Sequence, residues 1–67
     1  MIIFAKRLRE LRHEKKLSTM ALGKKIGVSD MTICRWENNV NDVKGEELAK
    51  LAKFFEVSTD YLLGLED

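Results

Sequence analysis

The sequence predicts an all-α fold, a compact bundle of five helices formed by a single domain over residues 1–67. Apolar residues recur at helical spacing along most of the chain, which is the main sign of amphipathic helices. Serines stand where three of these segments begin and glycines where two of them end, as helix capping favours. The chain contains no proline, and none of its segments is predicted to be a strand.

The first helix is predicted over residues 2–15. Phe4, Leu8 and Leu11 lie at i, i+4 and i+7 and therefore form one apolar stripe, while basic residues occupy the other faces. Leu17 then follows as a connector to the next helix.

The second helix is predicted over residues 19–26. Ser18 is its N-cap, because a serine hydroxyl accepts a hydrogen bond from a backbone N–H of the first turn. Gly27 ends it, since glycine readily adopts the left-handed conformation that follows many helices. The side chains expected to be buried are Met20, Leu22 and Ile26.

The third helix follows the N-cap Ser29 and is predicted to end at about Glu37 or Asn38. At 100° per residue, Ile33 and Trp36 share the face that is expected to be buried. The opposite face carries an unusual combination for a surface exposed to water: a methionine, an arginine and an amide. These residues are Met31, Arg35 and Asn38.

A polar loop ended by Gly45 leads to a fourth helix over residues 46–55. Two glutamates in its first turn favour the positive end of the helix dipole. Ser58 caps a last short helix over residues 59–63, and Gly64 ends that helix. The apolar side chains expected on the inner faces are Leu48, Leu51, Ala52, Phe55, Tyr61 and Leu62.

The net charge of +1 conceals a strong asymmetry between the two halves of the chain. Residues 1–35 hold nine basic and three acidic side chains, whereas residues 36–67 hold three basic and eight acidic ones. Such asymmetry favours a polyanion-binding surface at the basic end, and two ordinary solvated faces are the alternative. The acidic half also offers a surface for a protein partner.

Several classes of protein are excluded by composition. The single cysteine cannot form an internal disulfide and fits a reducing compartment. No apolar run is long enough to span a bilayer, and no signal peptide is recognisable, so a cytoplasmic protein is expected. One histidine and one cysteine provide neither a metal site nor a catalytic set. We therefore expect no cofactor, no metal and no enzymatic activity.

The segment "STMALGKKIGVSDMTICRWE" predicts a helix-turn-helix, because two short serine-capped helices are separated by a tight Gly-Val-Ser turn. Gly23 lies where the two helices would approach most closely. Together with "LRELRHEKKLS" and "LAKLAKFFEVSTDYLLG", this segment resembles the phage-repressor (Cro/cI, or XRE) type of helix-turn-helix domain, which is lambda-repressor-like in fold. The resemblance covers nearly the whole chain.

The resemblance implies a transcriptional regulator, a repressor, that binds double-stranded operator DNA as a homodimer in a bacterial or phage-infected cell. Its recognition helix over residues 29–38 would enter the major groove of a two-fold operator. The side chains expected to contact bases are Asp30, Met31, Thr32 and Arg35. Those expected to contact the DNA backbone are Lys6, Arg9, Ser18, Thr19, Lys24, Lys25, Ser29, Asn38 and Lys44.

The chemistry of these side chains fits such a reading surface. Arg35 can donate two hydrogen bonds to guanine, which discriminates by about 1–3 kcal/mol, and Met31 suits thymine methyl groups. The alternative for Met31 is a contact with another protein, a frequent use of exposed methionine. Asp30 has two readings: a favourable interaction with the helix N-terminus, or acceptance of a hydrogen bond from cytosine.

The family resemblance also implies an ion pair between Arg12 and Glu37, which would join the first helix to the end of the recognition helix. This chain departs from the family in three ways. Thr19 stands where glutamine is common, Cys34 where serine is frequent, and the loop after the recognition helix lacks proline. Cys34 is interpreted as a small packed residue, with redox sensing as the alternative.

A role in binding a protein partner is the functional alternative to transcriptional regulation. The domain could be an antitoxin, with a second surface for a toxin, or an adaptor that no longer binds DNA. If it dimerises, the surface is expected at the end formed by the last two helices. The side chains proposed for that surface are Phe54, Tyr61, Leu63 and Leu65.

Overall fold

A computed structural model describes residues 2–67 of the chain, so Met1 lies outside the described residues. Within that range the chain forms five helices and no strand, as the sequence predicted. The helices are α1 (Ile2–Glu14), α2 (Thr19–Ile26), α3 (Asp30–Glu37), α4 (Gly45–Phe55) and α5 (Thr59–Leu63). The observed ends differ from the predicted ends by at most one residue.

The predicted serine caps are present on three helices. The hydroxyl oxygens of Ser18, Ser29 and Ser58 each accept a hydrogen bond from the backbone N–H three residues later, at 3.0, 3.1 and 2.9 Å. Helix α4 instead begins after Lys44, whose side chain makes no capping hydrogen bond. Three short helices therefore have their starting residues fixed by local side-chain chemistry.

The core lies between the five helices, and each of them contributes side chains to it. Its fully buried side chains come from all five helices: Phe4, Leu8, Leu22, Ile33, Leu51 and Leu62. Trp36 extends this core from the inner face of α3 and packs edge-on against Phe4, with ring centroids 6.3 Å apart. The burial of Ile33 and Trp36 turns the opposite face of α3 to the surface.

The prediction that Met20 is buried was wrong, because its side chain is 57% exposed. Leu22 and Ile26, one helical turn apart, form the buried stripe of α2. Met20 precedes Leu22 by two residues, which places it about 200° around the helix axis and therefore on the outer face.

Gly23 allows α2 and α3 to pack closely. A Cβ atom at this position would lie 2.7 Å from the carbonyl oxygen of Val28, closer than two such atoms can approach. The turn itself is made by Gly27, whose φ of 86° is the left-handed conformation predicted for it. The geometry of the helix-turn-helix therefore depends on these two glycines for different reasons.

Arg7 attaches α5 to α1. Its guanidinium donates hydrogen bonds to the carbonyl oxygens of Tyr61 and Glu66, the latter at 2.7 Å, and lies 4.2 Å from the centre of the Tyr61 ring. These contacts satisfy carbonyl groups near the end of the last helix. Across the described residues, every helix is too short or too polar to traverse a lipid bilayer.

Candidate nucleic-acid interface

The outer face of α3 presents the predicted row of side chains. Met31, Arg35 and Asn38 are all exposed, with Met31 59% accessible. The side-chain amide of Asn38 donates a hydrogen bond to the carbonyl oxygen of Cys34 at 2.8 Å. Because an amide group has two N–H donors, Asn38 retains one for another acceptor.

Arg12 and Glu37 form the ion pair that the family resemblance implied. The Arg12 Nε donates to Glu37 Oε2 at 2.6 Å and the Nη2 to Oε1 at 2.9 Å, with both side chains largely buried. A third donor, Nη1, reaches the carbonyl oxygen of Leu17 at 2.8 Å. Hydrogen bonding to Glu37 raises the pKa of Arg12 above its ordinary value, so the guanidinium stays charged. The pair fixes the end of α3 against α1.

Arg9 joins the same carboxylate from a more exposed position. Its Nε lies 3.4 Å from Glu37 Oε1, and its Nη2 donates to the carbonyl oxygen of Glu37 at 3.1 Å. Arg9 was predicted to contact the DNA backbone, and nothing in the sequence indicated this second role. Since a guanidinium has five N–H groups, Arg9 can hold Glu37 and still offer donors to an anion.

A groove runs between α1 and the end of α3, with a volume of about 440 Å³. Three of the residues predicted to contact the DNA backbone line it together: Lys6 and Arg9 from α1, and Asn38 from the end of α3. Its other walls are formed by Ile2, Ala5, Glu10, His13, Glu37 and Asn39. Asn38 belongs to both the groove and the exposed row of α3, so the two surfaces adjoin.

The starts of α2 and α3 meet through a contact that the sequence analysis did not predict. The hydroxyl of Thr19 donates a hydrogen bond to Oδ1 of Asp30. The Sγ of Cys34, which is half-buried, lies 3.9 Å from the same oxygen. Thr19 and Asp30 are the first residues of their helices, and their separation of eleven residues gives no signal for the contact.

The remaining predicted side chains divide into capping residues and exposed cations. The Thr32 hydroxyl lies 2.8 Å from the hydroxyl of Ser29, so both belong to the cap of α3. Lys24 and Lys25 are exposed in the last turn of α2, beside the turn of the motif. Lys44 is exposed and is the N-cap residue of α4.

Comparison with known proteins identifies close relatives. The sequence profile described as helix-turn-helix matches residues 8–62. Repressor protein C2 of Salmonella phage P22 is 39% identical over 61 residues, which is 91% of this chain and 28% of that protein. The HTH-type transcriptional regulator YobD of Bacillus subtilis (strain 168) is 35% identical over 97% of this chain and 58% of its own length. The chain thus spans less than two thirds of the length of each of these curated relatives.

Solved structures agree in fold. The P22 c2 repressor in complex with a synthetic operator superposes with a TM-score of 0.84 at 39% identity, covering 88% of this chain and 89% of the other. The solution structure of the P22 c2 repressor DNA-binding domain gives a TM-score of 0.82 at 40% identity, over 90% of this chain and 79% of the other. The chain therefore belongs to the helix-turn-helix family, in its phage-repressor (Cro/cI, XRE) branch, whose members are DNA-binding transcriptional regulators and not enzymes.

Proposed function

We propose that this protein is a sequence-specific regulator of transcription, a repressor, that inserts α3 into the major groove of a two-fold operator. The observation that carries the proposal is the exposed row of Met31, Arg35 and Asn38 on a helix whose opposite face is buried and whose end is held by Arg12. The likeness to a repressor bound to its synthetic operator supports the same orientation of the domain.

In this proposal, Met31 and Arg35 contact the edges of the bases in the major groove. Arg35 donates two parallel hydrogen bonds to O6 and N7 of guanine, and Met31 packs against thymine methyl groups. Thr32 lies one residue further along the same helix and contributes a methyl group beside them. These contacts provide the sequence preference, whereas contacts to phosphate fix the register of the protein on the duplex.

Two surfaces beside the row hold the DNA backbone. At one end of α3, the groove lined by Lys6, Arg9 and Asn38 receives a phosphate. At the other end, the starts of α2 and α3 and the exposed lysines of α2 face the opposite strand. The residues proposed for that second surface are Ser18, Thr19, Lys24, Lys25 and Ser29. Lys44 contributes a further exposed cation outside both surfaces.

The active form is proposed to be a homodimer in the cytoplasm of a bacterial or phage-infected cell. Among the side chains predicted for the dimer surface, Phe54 packs against the core beneath Lys15, and Tyr61 is covered by Arg7. Leu65 remains 73% exposed, and Ile3, 46% exposed, packs against Gly64 next to it. We therefore propose a dimer contact centred on Leu65.

The experiment that tests this proposal is selection of bound duplexes from a random DNA pool, followed by sequencing. An enriched inverted repeat is expected, with half-sites about one helical turn apart. Binding without enrichment would contradict sequence-specific recognition. No retention of DNA by the folded protein would favour an antitoxin or adaptor that acts through its acidic half.

A further inference from the structure

Asp30 stands out on the proposed DNA surface because it is an exposed carboxylate among groups that would meet phosphate. It is the first residue of α3, and its Oδ1 accepts a hydrogen bond from the hydroxyl of Thr19 and a weaker one from the thiol of Cys34. Thr19 is itself the first residue of α2. The side chain of Asp30 is therefore held from a second helix and has one defined orientation.

Two features make a negative charge tolerable at this position. The start of α3 carries the positive end of the helix dipole, which favours a carboxylate in the first turn. The hydroxyl of Thr19 donates to this carboxylate, and hydrogen bonds to an ionised acceptor are stronger than those between neutral groups. These two interactions offset the repulsion between the Asp30 carboxylate and phosphate.

The chemistry of an ionised carboxylate restricts the bases that it can face. Both of its oxygens accept hydrogen bonds and neither donates. In the major groove, guanine presents two acceptors, thymine an acceptor and a methyl group, and adenine an acceptor beside its amino group. Cytosine alone presents an amino donor without an acceptor of its own.

From this geometry we infer that Asp30 is a specificity-determining residue that selects cytosine at one position of each half-site, and that Thr19 is its positioning residue. The inference rests on the proposed function. Oδ1 is occupied by Thr19, so Oδ2 accepts from the N4 amino group of cytosine. The assignment makes Thr19 a determinant of base preference without a base contact of its own.

The test compares operators selected by the wild-type protein with those selected by Asp30→Asn, which preserves the shape of the side chain. Because the Thr19 hydroxyl still holds the side-chain oxygen, the asparagine presents only its amide N–H groups to the DNA, and these require an acceptor such as O6 or N7 of guanine or O4 of thymine. The substitution is therefore expected to abolish the cytosine preference in favour of a base that presents an acceptor, such as guanine or thymine, at one position per half-site, with a change in relative preference of about tenfold. Asp60→Asn, in the first turn of α5, is the matched control and should retain the wild-type profile.

Thr19 is tested by two substitutions. Thr19→Val removes the hydroxyl at nearly constant shape and should weaken the cytosine preference, because Asp30 is then free to rotate. Thr19→Ser keeps the hydroxyl and should restore the preference. A role for Thr19 in phosphate contact alone would instead lower affinity for all sequences equally and leave the base profile unchanged.

Three outcomes would overturn the inference. An Asp30→Asn profile identical to that of the wild type would limit Asp30 to stabilising the helix, while leaving the proposed function intact. A Thr19→Val profile that keeps the full cytosine preference would remove the positioning role. If the folded wild-type protein enriches no sequence, the proposed function itself fails, and the inference fails with it.

Discussion

Arg12 and Glu37 meet through two nearly parallel hydrogen bonds that join α1 to the last residue of the recognition helix. Their side chains are only 12% and 4% exposed, and Arg9 approaches the same carboxylate from the solvent side. A guanidinium and a carboxylate paired in this way match in geometry as well as in charge. The end of α3 therefore has one fixed position relative to α1.

The first prediction concerns the removal of this carboxylate. Glu37→Ala leaves the charge of Arg12 largely buried without its partner, so the free energy of unfolding should fall by about 3 kcal/mol or more. Glu14→Ala, at the exposed end of α1, is the control and should change it by less than about 0.5 kcal/mol. Urea unfolding measures the free energy of unfolding of both variants and of the wild-type protein. Equal effects of the two substitutions would show that the ion pair does not stabilise the fold.

The second prediction tests the close approach of α2 and α3. Gly23→Ala places a Cβ against the carbonyl oxygen of Val28, so the helices must separate, and a loss of about 1–3 kcal/mol in unfolding free energy is expected. Gly45→Ala is the matched control, because no atom lies within 4 Å of its added Cβ. That control should be neutral or stabilising by up to about 1 kcal/mol. The idea fails if Gly23→Ala is as stable as the control.

The third prediction uses Glu56, which follows α4 in the left-handed conformation with φ of 57°. A side chain there is strained by about 1–2 kcal/mol, and glycine is free of this strain. Glu56→Gly should therefore raise the melting temperature. Lys53→Gly, inside the same helix, should lower the melting temperature. Lysine is nearly as favourable as alanine in a helix interior, whereas glycine is about 1 kcal/mol less favourable than alanine. A decrease for both variants would contradict the prediction.

The fourth prediction separates base reading from phosphate binding. Arg35→Ala should relax the base preference at one position of each half-site. Lys24→Ala should weaken binding to all sequences alike and reduce the salt slope by about one unit. Binding titrations at several salt concentrations, combined with sequencing of selected duplexes, measure both effects. An unchanged base profile for Arg35→Ala would mean that α3 docks in a different orientation.

The fifth prediction concerns the proposed dimer. Leu65 is exposed, so Leu65→Asp should leave the stability of the monomer unchanged within about 0.5 kcal/mol. It should abolish cooperative binding to a duplex with two half-sites, because the carboxylates of two copies would repel each other. Binding to a duplex with a single half-site provides the control and should be unaffected. Retained cooperativity would place the dimer contact elsewhere.

Much of the fold could be predicted from the sequence because its determinants are local. Ser18, Ser29 and Ser58 each fix the start of a helix, because each hydroxyl accepts a hydrogen bond from the backbone N–H only three residues later in the chain. Gly27 and Gly64 adopt the left-handed conformation that ends a helix, which other residues adopt less readily. The positions of the helix ends were therefore encoded in short segments that can be interpreted one at a time.

The contacts that the sequence analysis missed all depend on how helices meet. Thr19 and Asp30 are eleven positions apart, and Arg9 and Glu37 are twenty-eight apart, so neither spacing indicates a pair. Met20 appeared to be a core residue because it is apolar, but the orientation of α2 is set by Leu22 and Ile26. The Arg12–Glu37 pair was anticipated only because the family resemblance supplied the missing tertiary information.

Trp36 is the only tryptophan of the chain, and its position has a spectroscopic consequence. The indole is 3% exposed and packs against Phe4 on the inner face of the recognition helix. Its fluorescence should shift to longer wavelength when the contact between α1 and α3 opens and water reaches the ring. Because the indole faces away from the proposed DNA surface, the same signal should respond little to operator binding. The protein thus contains an intrinsic optical probe that distinguishes unfolding from recognition.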